Sequence, residues 1–229
     1  MTGCGLHRAR QTVRHAMTTY QQPDRDCQLC PRLVEFRRAN QAKFPDFYNG
    51  PVRPFGPSDA RLLVVGLAPG LKGANATGRP FTGDYAGDLL YDTLKKFNFA
   101  KGTYDKRPDD GLELIDCRIT NAVKCVPPEN KPTGPEANTC RPFLISEFGA
   151  MKNLSAILCL GLVAHQAMLR TFGLKLSSLK FGHGASHKME NGITLFDSYH
   201  CSRYNTQTYR LTPEMFENVF ADIRAHLDH

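Results

Sequence analysis

Arg61-Leu-Leu-Val-Val-Gly66 decides how the rest of the chain is read. A short, apolar, β-branched run that stops at a glycine suits a strand buried on both faces. A glycine-rich segment follows. Residues 86–97 then place Leu89, Leu90, Leu94 and Phe97 at helical spacing. The unit recurs along the chain. Residues 117–123 predict a second strand, and 135–154 a helix broken near Gly149. Ala156-Ile-Leu-Cys-Leu-Gly161 predicts a third strand ending in glycine. Residues 162–171 follow as a helix, with Gly173 placed as its stop. Residues 193–197 predict a fourth strand. Thr212-Pro213 supplies a cap and first-turn proline. Phe216, Val219, Phe220, Ile223 and Leu227 then line one face of a closing helix.

Strands alternating with helices argue for an α/β fold with a largely parallel sheet. Such sheets bind ligands beyond the strand C-termini. Polar or glycine-rich segments lie at all four ends: 66–84, 121–140, 161 onward, and 198–208. No repeat, low-complexity tract or linker divides the chain. Residues 24–229 therefore read as one domain and residues 1–23 as a flexible basic arm.

A chain of 229 residues buries enough surface to need no disulfide scaffold, so its eight cysteines call for another reading. No run of about 18 apolar residues exists, which excludes a membrane-spanning helix. The first 23 residues lack the apolar core of a secretory signal; an organellar presequence or a later start at Met17 are the other readings of that arm. Net charge is 29 − 22 = +7. Residues 162–210 hold six Lys/Arg and four His against two acids. That balance permits an acidic partner such as nucleic acid and equally describes a solvated basic face.

Cys27-x-x-Cys30 is a metal-type pair, and Cys125 and Cys140 have 14 residues between them. Four thiolates can hold tetrahedral zinc or a [4Fe–4S] cluster. The wide second spacing leans toward iron–sulfur, with zinc or plain core thiols still open. Cys117 and Cys159 sit in apolar runs and read as core.

The loop Gly66-Leu-Ala-Pro-Gly70-Leu-Lys-Gly73 lacks the G-K-[ST] of a Walker A loop and the spacing of a dinucleotide fingerprint. Its glycines would still let backbone approach a flat ligand closely. Phe81, lodged among glycine and proline, could stack on a nucleobase or tuck into the core. Lys72 and Lys124 read as phosphate contacts rather than Schiff-base lysines.

Three motifs are more specific. They are Gly66-Leu-Ala-Pro-Gly70 with Thr77-Gly-Arg-Pro-Phe-Thr-Gly-Asp84, then Thr120-Asn-Ala-Val-Lys-Cys125, then Ser198-Tyr-His-Cys-Ser202 with Asn205-Thr-Gln-Thr208. In that order, with the four cysteines, they make the chain resemble the uracil-DNA glycosylase superfamily, most of all its iron–sulfur family-5 (type b) enzymes. The resemblance runs from about Asp26 to the closing helix. It implies a three-layer α/β/α sandwich around a short, mostly parallel sheet. It implies a monofunctional DNA glycosylase that removes uracil, and other deaminated or mismatched bases, from DNA in base-excision repair. A [4Fe–4S] cluster would rest on Cys27, Cys30, Cys125 and Cys140. The protein would act as a monomer in the cytoplasm, at the nucleoid.

The resemblance also distributes roles. Gly66, Ala68, Pro69, Gly70 and Gly73 would line the base pocket and Phe81 would stack on the base. Asn121 would read the base edge with its donor and acceptor. His200 would stabilise the departing anion, by hydrogen bond or as a cation. Ser202, Arg203 and Asn205 would contact phosphates or wedge into the duplex. Ala68 departs from the acid or amide found elsewhere in the superfamily, so Asp84 is the expected water-activating carboxylate; it would serve equally as a helix-start residue. A family-4-like, uracil-restricted glycosylase and a non-catalytic, metal-stabilised nucleic-acid-binding module are the alternative readings.

Overall fold

The computed structural model describes residues 20–229. In chain order the elements are α1 (Pro31–Lys43), β1 (Leu62–Gly66), α2 (Ala74–Thr77), α3 (Tyr85–Lys96), β2 (Ala100–Lys101), β3 (Glu113–Leu114) and β4 (Cys117–Asn121). Then come α4 (Gly134–Ala150), β5 (Ala156–Leu160), α5 (Leu162–Thr171), β6 (Ser186–Lys188), β7 (Thr194–Ser198), α6 (Arg203–Gln207) and α7 (Pro213–Leu227). Five strands form one sheet in the order β4-β1-β5-β7-β6. All neighbours are parallel except the β6–β7 pair. The small β2–β3 ribbon is antiparallel.

Every residue of β1, β4, β5 and β7 is buried, as a sheet covered on both faces requires. Alternation splits their side chains between two cores. Leu62, Val64, Ile119, Leu158 and Phe196 pack with α3 and α7, through Leu90, Leu94, Phe216 and Phe220. Leu63, Val65, Ile157 and Leu195 pack with α4 and α5, through Leu144, Ala164 and Met168. Each such large side chain contributes about 1.5–3 kcal/mol by leaving water. The expected three-layer α/β/α arrangement is thus present. Among the described residues no helix is long and apolar enough to cross a membrane.

Local signals worked where they were strong. Gly173, at φ +72°, ends α5. Thr212 caps α7 by accepting from the Met215 N–H at 3.2 Å. Two expectations need correction. The helix expected over 135–154 runs unbroken from Gly134 to Ala150, through Gly149 as well as Pro142. The strand expected over 117–123 ends at Asn121, although Ala122 and Val123 still donate to the Gly66 and Leu67 carbonyls at 2.9 and 3.0 Å. Helix α1 gave no periodic signal because two of its four buried residues are the polar Arg37 and Asn40.

Most of the basic arm lies outside the described residues. Its last part, residues 20–23, lies on the domain. The Gln21 N–H donates to Ser146 Oγ at 2.7 Å, the Tyr20 hydroxyl accepts from Arg118 at 3.0 Å, and Pro23 is buried.

Beneath the end of β4 lies a buried charge network. Glu147 accepts from Arg118 Nε at 2.8 Å, Thr120 Oγ1 at 2.8 Å and Lys124 Nζ at 2.9 Å. Lys124 and Glu147 are fully buried. Lys124 therefore cannot serve as the phosphate contact read from its sequence position. Removing one partner strands the others in low dielectric. Glu147→Ala should accordingly destabilise the protein by about 3–5 kcal/mol, seen as a large drop in urea midpoint. Lys101→Ala, which breaks the exposed pair with Glu113, should leave the midpoint almost unchanged. Equal effects would contradict the network's role.

Candidate active site

Parallel pairing brings the C-terminal ends of β1, β4, β5 and β7 to one edge of the sheet. There Gly66 is the in-register partner of Asn121. A Cβ on Gly66 would run into Asn121 Oδ1 and stand 2.7 Å from the Phe81 ring. The bare glycine therefore lets the amide and the ring converge. Asn121 is 4% exposed, yet its side chain makes no hydrogen bond to any described residue. The amide is thus free to pair with the polar edge of a ligand.

Phe81 holds a left-handed backbone, φ +51°, which a non-glycine residue keeps only under constraint. Its carbonyl accepts from the Tyr104 hydroxyl at 3.2 Å. The neighbouring loop is anchored by the Arg79–Asp110 ion pair, with bonds of 2.8 and 2.7 Å; that pair holds the Asp110 carboxyl below the usual carboxylate range. The Phe81 ring lies 5.8 Å from the His200 ring at 27°. Phe81 is 7% exposed and belongs to the core packed with α3 and α7, so its ring is tucked into the core while it meets Asn121 and His200 at the strand ends.

His200 follows β7, and its carbonyl accepts from Asn205 Nδ2 at 2.8 Å. Gly161 sits close behind it at φ +98°, so that an added Cβ would lie 3.7 Å from His200 Cβ. Burial lowers the His200 pKa to about 4. The ring is therefore neutral near pH 7 and can stabilise an anion by donating a hydrogen bond, not as a cation.

Asp84 takes the helix-start position expected of it. Oδ1 caps α3 by accepting from the Ala86 N–H at 3.2 Å. Oδ2 lies against the glycine loop, 2.8 Å from where a Gly70 Cβ would stand and closer still to where a Gly73 Cβ would stand. Burial pushes this carboxyl above the usual carboxylate range, opposed by backbone N–H groups of Ala86 and Gly87. Ala68 is half-buried and Pro69 buried in the same loop.

The structure gives Ser202 and Asn205 internal partners: Ser202 Oγ accepts from the Asn205 N–H at 3.4 Å. They shape the His200 loop. Arg203 is exposed, its guanidinium 5.4 Å from the centre of the Tyr85 ring. Tyr204, 70% exposed on α6, was not singled out from sequence. Its motif position was visible, but an aromatic residue's exposure emerges only in the fold.

Residues 53–224 match the family model of the Uracil DNA glycosylase superfamily. The chain is 41% identical over 203 residues to a type-5 uracil-DNA glycosylase of Thermus thermophilus, covering 86% of this chain and 92% of that one. It is 39% identical to one of Mycobacterium leprae (86% and 90%) and 36% identical to one of Pyrobaculum aerophilum (85% and 86%). The chain belongs to the uracil-DNA glycosylase superfamily.

In this superfamily member the four motif cysteines surround a second cavity, shared with Arg37. Cys30 is the N-cap residue of α1, Cys140 lies in α4, and Arg32 clamps Glu136 with two 2.8 Å bonds between those helices. Burial and the nearby Cys140 and Cys27 push the Cys30 thiol up to about 11; burial and Cys140 push Cys125 to about 12. Arg37 is 2% exposed, and its Nε and Nη1 have no partner. Only Nη2 is engaged, on the Cys27 carbonyl at 3.0 Å and Asp26 at 3.4 Å; a buried guanidinium with two free nitrogens beside four thiols fits an anionic thiolate-bound group. Among the described residues, no three of these Sγ atoms lie within 4.8 Å of one another. Tetrahedral zinc, with Zn–S of about 2.3 Å, would need them about 3.8 Å apart.

Gly66→Ala should displace Asn121 and Phe81 and lower single-turnover base release by about 10²-fold, the cost of a misplacement near 1 Å. Gly149→Ala, on α4 with nothing within 4 Å of the new methyl, should keep activity and gain up to about 1 kcal/mol. An active Gly66→Ala enzyme would refute the convergence.

Proposed function

We propose that this protein excises uracil from DNA by hydrolysing the N-glycosidic bond, as the first step of base-excision repair. The observation that carries this reading is the meeting of Gly66, Asn121, Phe81 and His200 at the strand ends, with the Asn121 amide making no hydrogen bond to a described residue. A base inside a duplex cannot reach such a cleft, so the target nucleotide must be flipped out. Phe81 stacks on its face. Asn121 offers one donor and one acceptor to its edge. As the bond breaks, negative charge grows on the base and neutral His200 donates to it. Asp84, capping α3 with one oxygen, turns the other to the glycine loop, where it orients water and supports the cationic sugar. Lys124 is buried on Glu147 and Lys72, exposed on the glycine loop, is placed for phosphate contact, so we read the enzyme as monofunctional. The exposed Arg203 and Tyr204 meet the duplex beside the cleft, by phosphate contact and by stacking. Small Ala68 leaves room for other deaminated or mismatched bases. The enzyme works as a monomer on chromosomal DNA in the cytoplasm.

Cys27, Cys30, Cys125 and Cys140 would hold a [4Fe–4S] cluster. When bound it supplies a structural cross-link among α1, the end of β4 and α4, with no redox change required. Cys125 lies four residues after Asn121, so the same segment serves both sites.

Single-turnover assays on oligonucleotides carrying uracil, hypoxanthine, xanthine or thymine opposite guanine test this reading. Asn121→Ala should cost about one to two decades on uracil and less on bases with a different edge. His200→Ala should slow every substrate, and Asp84→Asn should slow chemistry while leaving DNA affinity nearly intact. Because His200 is neutral above about pH 4, its contribution should not fall between about pH 5 and 8; a rate lost on raising pH through that window would require the cation instead. Absence of base release from any substrate, with DNA still bound, would leave a binding module.

Anaerobically purified protein should be brown and carry four irons per chain, and Cys30→Ser should bleach it and lower its melting temperature. Colourless protein without iron would refute the cluster.

A further inference from the structure

A second cluster of ligand-type side chains lies on the far side of the sheet from α3 and α7. His165 (α5), His187 (β6) and Asp197 (β7) each offer one donor atom, all within 4.8 Å of one another. His165 and Asp197 are buried and His187 nearly so. The Leu179 carbonyl stands 3.1 Å from His165 Nε2. A carbonyl only accepts, so Nε2 carries the hydrogen. The other ring nitrogen, Nδ1, then faces Asp197 Oδ1 at 2.8 Å. Two acceptors that close require a positive charge, from a second ring proton or from a metal ion.

A ring proton satisfies that contact alone. It leaves His187 Nε2 and Asp197 Oδ2 buried, 3.5 Å apart and without hydrogen-bond partners. A metal ion satisfies all three residues. Ligands of tetrahedral zinc, bound at about 2.0–2.1 Å, stand about 3.3–3.4 Å apart, close to the 3.5 Å between His187 Nε2 and Asp197 Oδ2; the 2.8 Å between His165 Nδ1 and Asp197 Oδ1 would widen by about 0.5 Å on binding. The His165 Nε2–H donated to a backbone carbonyl is the outer contact that fixes a metal-binding imidazole in the required tautomer.

We propose that His165, His187 and Asp197 form a separate centre for one first-row divalent cation, zinc by its N,N,O ligand set. The ion would be structural. It joins α5 and the short edge strand β6 to β7, whose chain reaches His200 three residues after Asp197. It shares no residue with the four-cysteine site.

The test uses full-length protein and its His187→Gln variant. Both are incubated with excess zinc chloride and desalted, and metals are counted by mass spectrometry. Both keep every cysteine, so zinc bound by thiols cancels in the comparison. Wild type should retain one more zinc per chain, and zinc should raise its melting temperature but not the variant's. Equal zinc content, or a wild-type melting temperature indifferent to zinc, would overturn the proposal. Should the variant fail to fold, X-ray absorption on zinc-loaded wild type decides alone. A nitrogen/oxygen shell at about 2.0–2.1 Å supports the site, and a sulfur shell alone at about 2.3 Å refutes it.

Discussion

The cleft depends on the register of two parallel strands. Gly66 and Asn121 end β1 and β4 as partners, so any side chain at Gly66 would occupy the space where the Asn121 amide and the Phe81 ring meet. A parallel ladder aligns all its strand ends on one edge. Loops from four strands thus deliver Asp84, Asn121, Gly161 and His200 to one place. Slipping the β1–β4 pairing by one residue would turn every β1 side chain to the opposite core and remove the glycine from its station.

Around that station the chain accepts local cost. Phe81 occupies a backbone region worth about 1–3 kcal/mol of strain, and the Asn121 amide makes no hydrogen bond to a described residue. The Tyr104 hydroxyl and the Arg79–Asp110 pair hold the Phe81 loop from one side. The Glu147 network braces β4 from below, joining Thr120 to α4. Rigid surroundings keep a strained ring and an unsatisfied amide ready for a ligand, so that binding need not first order them.

One stretch, residues 120–125, links the parts. Thr120 and Lys124 enter the buried network, Asn121 enters the cleft, and Cys125 lines the cysteine cavity. The Lys124 N–H also donates to Cys140 Sγ at 3.4 Å. Whatever tightens the cysteine site therefore tightens the strand end that carries Asn121. His200 has its own support in the α5–β6–β7 corner, so the two sides of the cleft are braced separately.

By itself the sequence determined the layer order, the four parallel strands, the helix stop at Gly173, the helix start at Thr212, and the motifs that named the family. Each is encoded locally, in apolar runs of strand length, period-3.6 stripes, caps and short residue strings. Only the tertiary structure decided what needed distant residues to meet. It buried Lys124 on Glu147, where its motif position had suggested phosphate. It gave Asp84 a cap and a cleft-facing oxygen at once, and kept His200 neutral through burial. It also gathered His165, His187 and Asp197 from three elements, 32 residues apart from first to last. Burial and partner choice are set by packing between segments far apart in the chain, and no local pattern carries that information.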